Sequence, residues 1–200
     1  MNRQNYSKYD FILKNINRHV KLNRSEIDFF CSILEFKTYK KKELILMPNK
    51  IADYEIFINS GCVKCYTIDN KGVEHISLFA IEGWWTGDLY SYISDKPATF
   101  FIETIEDSEI ITISKQQKEI LYKKVLKFER FFRTLYQNSL ASHIRRINQN
   151  ISFSAEEKYL NFKKNNPAIE KRVSQKNLAS YLGVTPEFLS LLKKRLSNKS

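Results

Sequence analysis

The sequence has few of the residues that mark special structural classes. Five glycines and four prolines among 200 residues exclude collagen-like and low-complexity chains. Three cysteines, an odd number, favour free thiols over a disulfide framework. The longest apolar runs span four residues, far short of the roughly 18 that a membrane helix needs. The polar N-terminus contains no apolar signal segment, so we expect a cytoplasmic protein without membrane partners.

The residues that are abundant indicate a globular protein with a basic end. Apolar residues make up 42% and aromatic residues 14% of the chain, which is enough for a core. Residues 1–114 hold 14 basic and 16 acidic residues, whereas residues 115–200 hold 19 basic and 6 acidic ones. The net charge of +11 therefore arises from a C-terminal part of net charge +13. A solvated surface would also carry charge, but an excess of this size favours a polyanionic partner such as nucleic acid.

The first half of the chain has the texture of a small β-domain. An amphipathic helix is predicted over residues 25–36, with Ser25 as its N-cap. Short segments with strand character follow, separated by turn residues at 59–61 and 69–72. The segments are 38–39, 44–47, 54–58, 62–68, 74–79, 100–103 and 109–113. Such a series predicts a sandwich or barrel.

A long helical region is predicted from a capping box at Ser114–Gln117 to about Ile151. One apolar stripe repeats at steps of four and three residues, as in a helix that packs along another helix: Leu121, Val125, Phe128, Phe132 and Leu135. A second stripe comprises Leu126, Phe131, Tyr136, Leu140, Ile144, Ile147 and Ile151. Packing inside one domain would explain one stripe, and two stripes favour a homodimer in which the first forms the seam.

The spacing of residues 175–194 predicts a helix-turn-helix. Ala179 is small where the two helices cross, and Gly183 supplies a left-handed turn four residues later. Thr185 caps the second helix, and Pro186 occupies its first turn. An ordinary helical hairpin would need neither this alanine nor a basic flank, so DNA binding is the favoured interpretation.

In a helix-turn-helix the second helix, here predicted over residues 185–196, enters the major groove with its N-terminal residues leading. The predicted positions nearest the base edges are Thr185, Glu187, Ser190 and Leu191, and Pro186 is a further predicted DNA-binding residue. Glu187 would accept a hydrogen bond from cytosine N4, and Leu191 would touch a thymine methyl group. The predicted phosphate contacts are Ser174, Gln175, Lys176, Lys193, Lys194 and Arg195.

The order of these parts resembles the Crp/Fnr family of bacterial transcription regulators. The resemblance rests on residues 56–61, on Gly83–Asp88 at the place of the phosphate-binding cassette, and on residues 155–160 leading to 173–190. The last stretch is most similar to the shorter members from Bacteroidetes. The resemblance implies an α+β fold in which an antiparallel jelly-roll barrel of the cyclic-nucleotide-binding type precedes a dimerisation helix and the DNA reader. Its implied partners are double-stranded DNA, a second copy of the chain, RNA polymerase and a small effector.

The resemblance places the effector pocket at Trp85, Gly87, Asp88, Leu89, Ala98 and Thr99. Asp88 stands where relatives that bind cyclic AMP have a ribose-binding glutamate. Their phosphate-binding arginine would fall at or next to Ala98, and Lys96 lacks the bidentate geometry that would replace it. No cofactor is predicted, and cyclic AMP is not expected. The reading helix also departs from the family, because Leu191 stands where relatives carry arginine.

Other chemistry finds little support in the sequence. Cys62 and Cys65 have metal-ligand spacing, but a zinc or iron–sulfur site needs about four ligands and Cys31 is the remaining thiol. There is no nucleotide-binding glycine loop and no nucleophile elbow. We therefore expect neither a metal site nor an enzyme.

These observations predict three regions, a sensor barrel at 1–113, a dimerisation helix at 114–151 and a DNA-binding domain at 152–200. The predicted function is that of a dimeric regulator that reads a nearly palindromic site. A scaffold whose barrel binds a small molecule or a protein remains the alternative, as does a DNA reader whose barrel has become inert.

Overall fold

A computed structural model describes residues 7–198 of the chain. Residues 1–6 belong to the N-terminal segment in which no secretory signal is predicted, and they lie outside the described residues. Residues 199 and 200 also lie outside the described residues. Within residues 7–198, no helix is both long enough and apolar enough to cross a membrane.

The described chain begins with a 3₁₀ turn over Ser7–Tyr9 and two helices, α1 (Asp10–Asn17) and α2 (Arg24–Ser32). The strands follow, and one short helix lies between the sixth and the seventh strand: β1 (Glu35–Tyr39), β2 (Leu44–Leu46), β3 (Tyr54–Ser60), β4 (Cys62–Ile68), β5 (Glu74–Ile81), β6 (Trp85–Thr86), α3 (Leu89–Ser94), β7 (Phe101–Thr104) and β8 (Ser108–Ser114). The remainder is helical: α4 (Lys115–Lys124), α5 (Lys127–Ser152), α6 (Ala155–Asn165), α7 (Pro167–Arg172), α8 (Gln175–Leu182) and α9 (Pro186–Ser197).

The strands form two four-stranded sheets with the orders β1-β8-β3-β6 and β2-β7-β4-β5. The pairs β1–β8, β3–β8, β3–β6 and β2–β7 are antiparallel. Most neighbouring strands are distant in sequence, as in a jelly roll, in which two Greek keys fold into a double sheet. The predicted α+β fold with an antiparallel jelly roll is confirmed.

Strand β3 is covered on both faces, which explains the run of apolar residues at its centre. Phe57 packs with Ile111 and Ile113 of β8 in a core that also includes buried residues of α1, α2, α4 and α5. Ile56 and Ile58 alternate with Phe57, point to the opposite face and are fully buried. The jelly roll therefore has one hydrophobic layer between its sheets and another beneath the helices.

The chain divides into two compact units. Unit 1 comprises residues up to 64 and residues 80–138. Unit 2 comprises residues 65–79, which include most of the β4–β5 hairpin, and the residues from 139 onward. This division differs from the predicted boundaries at 113 and 151, because α4 and the first part of α5 pack in unit 1.

Local sequence signals located several element ends. The capping box predicted at Ser114 begins α4, and a second capping box with Ser154 as its N-cap begins α6. The first predicted helix instead begins at Arg24 behind an Asn23 cap and ends at Ser32, because the chain turns into β1 three residues later. The helical region also breaks at Val125, where ψ of 81° ends α4.

Candidate nucleic-acid interface

Helices α8 and α9 form the helix-turn-helix predicted over residues 175–194. Their facing sides bury Leu178, Ala179, Leu182, Leu189 and Leu192. Ala179 is fully buried, as expected for the position where a larger side chain would separate the helices. The apolar spacing of the sequence thus fixes which face of each helix is internal.

Gly183 ends α8 in the left-handed region, with φ of 72°. Its N–H donates to the carbonyl of Ser180 at 3.1 Å, and the N–H of Val184 donates to the carbonyl of Ala179 at 3.0 Å. These bonds satisfy the last carbonyls of α8 in the pattern of a glycine C-cap. The turn between the helices is therefore defined by backbone geometry.

Thr185 begins α9. Its Oγ1 accepts a hydrogen bond from the N–H of Phe188 at 3.2 Å, and Pro186 follows at the first helical position. The side chain of Gln175 spans the two helices, since its Nε2 donates to the carbonyl of Pro186 at 3.0 Å. Ser174 caps α8 by accepting from the N–H of Asn177. Three of the predicted DNA-contacting side chains, those of Ser174, Gln175 and Thr185, therefore also hold the motif together.

An aromatic cluster supports α8 from inside unit 2. The ring of Tyr181 lies 5.1 Å from that of Phe162 and 5.3 Å from that of Phe79, measured between ring centroids. The guanidinium of Arg146 lies 4.1 Å from the Tyr181 centroid. Burial raises the pKa of Tyr181 and lowers that of Arg146. Arg146 is thus a packing residue of this cluster despite its charge.

Ser180 attaches α8 to strand β5. Its Oγ donates to the carbonyl of Glu74 at 2.6 Å and accepts from the N–H of Ile76 at 3.0 Å. Strand β5 is the last strand of its sheet, so one hydroxyl satisfies a carbonyl and an N–H that the edge would otherwise present. This contact was not predicted, because no local pattern links residues 74–76 to residue 180.

The exposed face of α9 carries four of the predicted contacts. Glu187, Ser190, Leu191 and Lys194 are spaced at i, i+3, i+4 and i+7, and all are exposed. Phe188, which the sequence analysis did not select, is also 46% exposed. Because Leu189 and Leu192 lie on the buried face of α9, the helical periodicity of the sequence could have identified Phe188 as exposed.

Two of the predicted phosphate contacts are paired within the chain. Lys193 forms an ion pair with Glu170 at 3.2 Å and lies 5.4 Å from the ring centroid of Tyr159. Arg195 forms an ion pair with Glu156. To bind DNA, each of these cations would have to leave its carboxylate partner for a phosphate. Both are therefore weaker candidates for phosphate contacts than the sequence indicates.

The remaining predicted cations are better placed. Lys176 and Lys194 are exposed, and neither forms an ion pair within residues 7–198. The described C-terminal stretch, residues 139–198, holds 11 basic and 4 acidic residues, so its net charge is +7. The helix-turn-helix therefore lies in a strongly basic part of the protein.

The stripe that was predicted to form a dimer seam is buried inside unit 1. Leu121, Val125, Phe128 and Phe132 are core residues, and Leu135 packs against that core. A side chain that fills its own core presents little surface to a partner, which makes these five residues weaker candidates for a seam than their spacing indicates. Sequence periodicity reports an apolar face without reporting what covers it.

The second stripe is exposed at Leu126 and throughout its C-terminal part. Leu140, Ile144, Ile147 and Ile151 of α5 are each at least 50% exposed and follow one another at steps of four, three and four residues. Phe131 of the same stripe is buried and Tyr136 is half-buried. Long exposed apolar residues at this spacing are typical of a helix that packs against another helix.

The residues of the predicted effector pocket contact one another and the backbone. Asp88 is buried, and its carboxylate accepts hydrogen bonds from the N–H groups of Ser91 and Thr99, both at 3.0 Å. Ser91 donates to the carbonyl of Lys96 at 2.6 Å and accepts from the N–H of Ala52 at 2.9 Å. The Asp88 carboxylate is thus used in hydrogen bonds that join residues 88, 91 and 99.

The four other predicted pocket residues have different surroundings. Trp85 packs in an aromatic cluster of unit 1, with its ring centroid 5.2 Å from that of Phe57 and 5.3 Å from that of Phe132. This packing makes Trp85 a weaker candidate for the pocket than the sequence indicates. Ala98 is buried, and its backbone bonds to residues 49 and 50. Leu89 is exposed, and Gly87 adopts φ of 153°.

Unit 1 also contains a buried ion pair that was not predicted. Nζ of Lys118 donates to Oε1 of Glu55 at 2.6 Å, and both side chains are more than nine-tenths buried. Tyr136 bonds to both groups. The ammonium lies 4.3 Å from the ring centroid of Phe132 and 4.8 Å from that of Tyr92. We call Lys118, Glu55 and Tyr136 the buried triad.

The three cysteines are free and buried. Burial raises the pKa of the Cys31 thiol to about 11, which favours the protonated thiol over the thiolate at neutral pH. No group of three or more potential metal ligands occurs within residues 7–198.

Comparison with known proteins agrees with this architecture. Residues 36–124 match the cyclic nucleotide-binding domain family, a range that runs from β1 to the end of α4. No curated protein matches the sequence significantly.

Solved structures match most of the chain. The c-di-GMP responsive global regulator CLP of Xanthomonas campestris has a TM-score of 0.70 at 18% identity, over 88% of this chain and 93% of that one. FixK2 of Bradyrhizobium japonicum has a TM-score of 0.68 at 18% identity, over 84% and 86%. A Crp/Fnr-family transcriptional regulator of Eubacterium rectale has a TM-score of 0.67 at 15% identity, over 96% and 88%. At such identities the matches establish the fold, which confirms the structural resemblance seen in the sequence.

Proposed function

We propose that this chain, which has the fold of the Crp/Fnr regulators over most of its length, is a DNA-binding transcription regulator that works as a homodimer. The observation that carries the proposal is the helix-turn-helix in unit 2. Its internal positions are filled and its turn is capped, while the outward face of α9 remains exposed in a part of the chain with a net charge of +7.

The geometry supports a division of roles within the motif. Glu187, Ser190 and Leu191 are proposed to face the base edges, because they lie in the first turns of α9 and are exposed. Lys176 and Lys194 are proposed to contact phosphates, since they are exposed cations without ion pairs in the described chain. Phosphate contacts would position the protein, and the base contacts would select the sequence.

The exposed stripe of α5 supports dimerisation. Leu140, Ile144, Ile147 and Ile151 are proposed to pack against the same residues of a second copy, in the self-complementary way that a two-fold axis requires. Two reading helices would then address half-sites about one turn of DNA apart. The proposal requires a dimer at micromolar concentration.

The barrel is proposed not to bind cyclic AMP. Asp88 already accepts two backbone hydrogen bonds, and the cassette has no arginine for the phosphate. A different small effector, or none, would act on the pose of the reading helices. RNA polymerase is the further partner proposed, since the overall fold is that of transcription regulators.

Selection from a random duplex pool tests the proposal. Purified protein without added ligand is incubated with the pool at physiological salt, and the retained DNA is sequenced. Enrichment of a two-fold symmetric motif is the expected result and would show that no effector is needed. Retention without a motif would limit the function to non-specific or effector-gated binding, and no retention would favour a scaffold.

A further inference from the structure

Two large apolar side chains, Phe188 and Leu191, lie exposed on the second helix of the motif. They are 46% and 69% exposed, whereas Leu189 and Leu192 fill the interior. A spacing of three residues brings Phe188 and Leu191 side by side on the helix surface. The interior between α8 and α9 is filled by other leucines, and much of these two side chains remains accessible.

The same face lacks the residues that usually read guanine. No arginine or lysine occurs from Thr185 to Leu192, which covers the cap and the first two turns of α9. The commonest specific contact, an arginine or lysine fork on guanine O6 and N7, is therefore unavailable where the helix would enter the groove. Base selection by these turns must use other chemistry.

The apolar feature that distinguishes one base from another in the major groove is the C5-methyl group of thymine. Exposed phenylalanine and leucine side chains can pack against such a methyl group. This packing is favourable because it removes apolar surface from water. Lys194, one turn beyond Leu191 on the same face, and Lys176 at the start of α8 supply the positive charge that favours a DNA partner over an apolar protein surface.

We propose that Phe188 and Leu191 form an apolar reading pair that recognises thymine methyl groups in the major groove. This inference rests on the proposed DNA-binding function and adds the base class that the motif selects. It assigns a specificity role to Phe188, and it makes Leu191 a reader of thymine at the place where an arginine would read guanine.

Uracil substitution tests the pair, because deoxyuridine differs from thymidine only by the C5-methyl group. In a duplex that carries the selected site, each thymine is replaced in turn by deoxyuridine, and the dissociation constant is measured by fluorescence anisotropy. At the thymines that the pair reads, the affinity should fall about 4-fold per methyl group, the factor that corresponds to roughly 0.8 kcal/mol.

The variants L191A and F188A assign each methyl group to a side chain. Each variant should bind the thymine duplex more weakly than the wild-type protein does. For each variant, replacement of thymine by uracil at one position should then cause no further loss of affinity. L160A is the matched control, because Leu160 is 44% exposed on α6 in the same unit, and it should leave both affinities unchanged. Circular dichroism verifies that each variant is folded.

The outcomes separate the two proposals. If the wild-type protein binds a symmetric site but no uracil substitution changes its affinity, the reading pair is refuted while the regulator stands. If the uracil effect persists in both L191A and F188A, the methyl groups are read elsewhere and the assignment is wrong. If the protein binds no duplex, the proposed function and the reading pair both fail.

Discussion

Lys118 is a cation held in an apolar environment by one carboxylate. Burial lowers its pKa and raises that of Glu55, so desolvation acts against the charge on both groups. The second carboxylate oxygen of Glu55 is buried and accepts no hydrogen bond within residues 7–198. An ion pair of this kind contributes little net stability, but loss of one partner leaves a buried charge.

The variant K118M should therefore lower the free energy of unfolding by about 3–5 kcal/mol near neutral pH. A carboxyl whose pKa is raised in the folded state favours folding at low pH and loses that contribution as the pH rises through the folded-state value. The loss in K118M should accordingly be smaller at about pH 5 than at about pH 8. Urea unfolding at both pH values checks this, with the doubly apolar K118M/E55M variant as control. An equal loss at both pH values would contradict the account.

Gly183 and Gly61 should respond differently to alanine, although both have positive φ. A Cβ at Gly183 would meet no heavy atom within 4 Å, so only the left-handed backbone opposes alanine, at about 1 kcal/mol. At Gly61 a Cβ would lie 2.1 Å from Oγ of Ser108 and 2.7 Å from its Cα. G61A should cost about 3 kcal/mol or more by urea unfolding. Equal losses in the two variants would show that the turns are not packed as described.

At the scale of elements, the two stripes of the helical region have different surroundings. The stripe that includes Phe128 and Phe132 fills unit 1, and the stripe from Leu140 to Ile151 is exposed. Both have the spacing of a packed helix, so the sequence alone could not say which one a second copy would cover.

Charge introduced into the exposed stripe should dissociate the dimer. I144E and I147E place a carboxylate in the proposed apolar seam, and each should weaken self-association at least about 100-fold, because an unpaired buried charge is strongly unfavourable. Sedimentation equilibrium measures the dissociation constant. S142E, on the opposite side of α5, is the control and should remain dimeric. A dimer of unchanged affinity in I144E and I147E would place the interface elsewhere.

Much of the fold was predictable because local chemistry encodes it. Capping boxes at Ser114 and Ser154, the turn at residues 69–72 and the glycine at 183 each located an element boundary. Strand β6 was missed because two residues are too few to form a pattern. Helix α1 was missed although Ile12 and Ile16 are spaced four residues apart, as on one face of a helix. The ion pair of Lys118 with Glu55 and the bonds of Ser180 to β5 join residues more than 60 positions apart, which no periodicity reports.

The candidate site was predicted in outline and corrected in detail. Positional constraints within twenty residues identified the helix-turn-helix, since each has a local physical cause. The pairing of Lys193 with Glu170 and of Arg195 with Glu156 depends on where α6 and α7 pack, so charge counting overestimated the available cations. Asp88 likewise accepts a hydrogen bond from the N–H of Thr99, a contact that no local pattern in the sequence indicates.

At the scale of the whole molecule, a basic C-terminal part should make DNA binding depend steeply on salt. The logarithm of the association constant should fall linearly with the logarithm of salt concentration, by about 0.9 per phosphate neutralised. K194A should lower this slope by about 1 per protomer and weaken binding to all duplexes alike. K163A, which removes an exposed lysine of α6, is the control. Binding that does not vary with salt would contradict a phosphate-contacting role.

The central claim is that two copies of this chain read one symmetric duplex. The most direct measurement is the mass of the complex by sedimentation velocity, with a labelled duplex that carries the selected site and protein without added ligand. The account predicts two chains per duplex, with half-sites about one helical turn apart. One chain per duplex, or free duplex at micromolar protein, would contradict it.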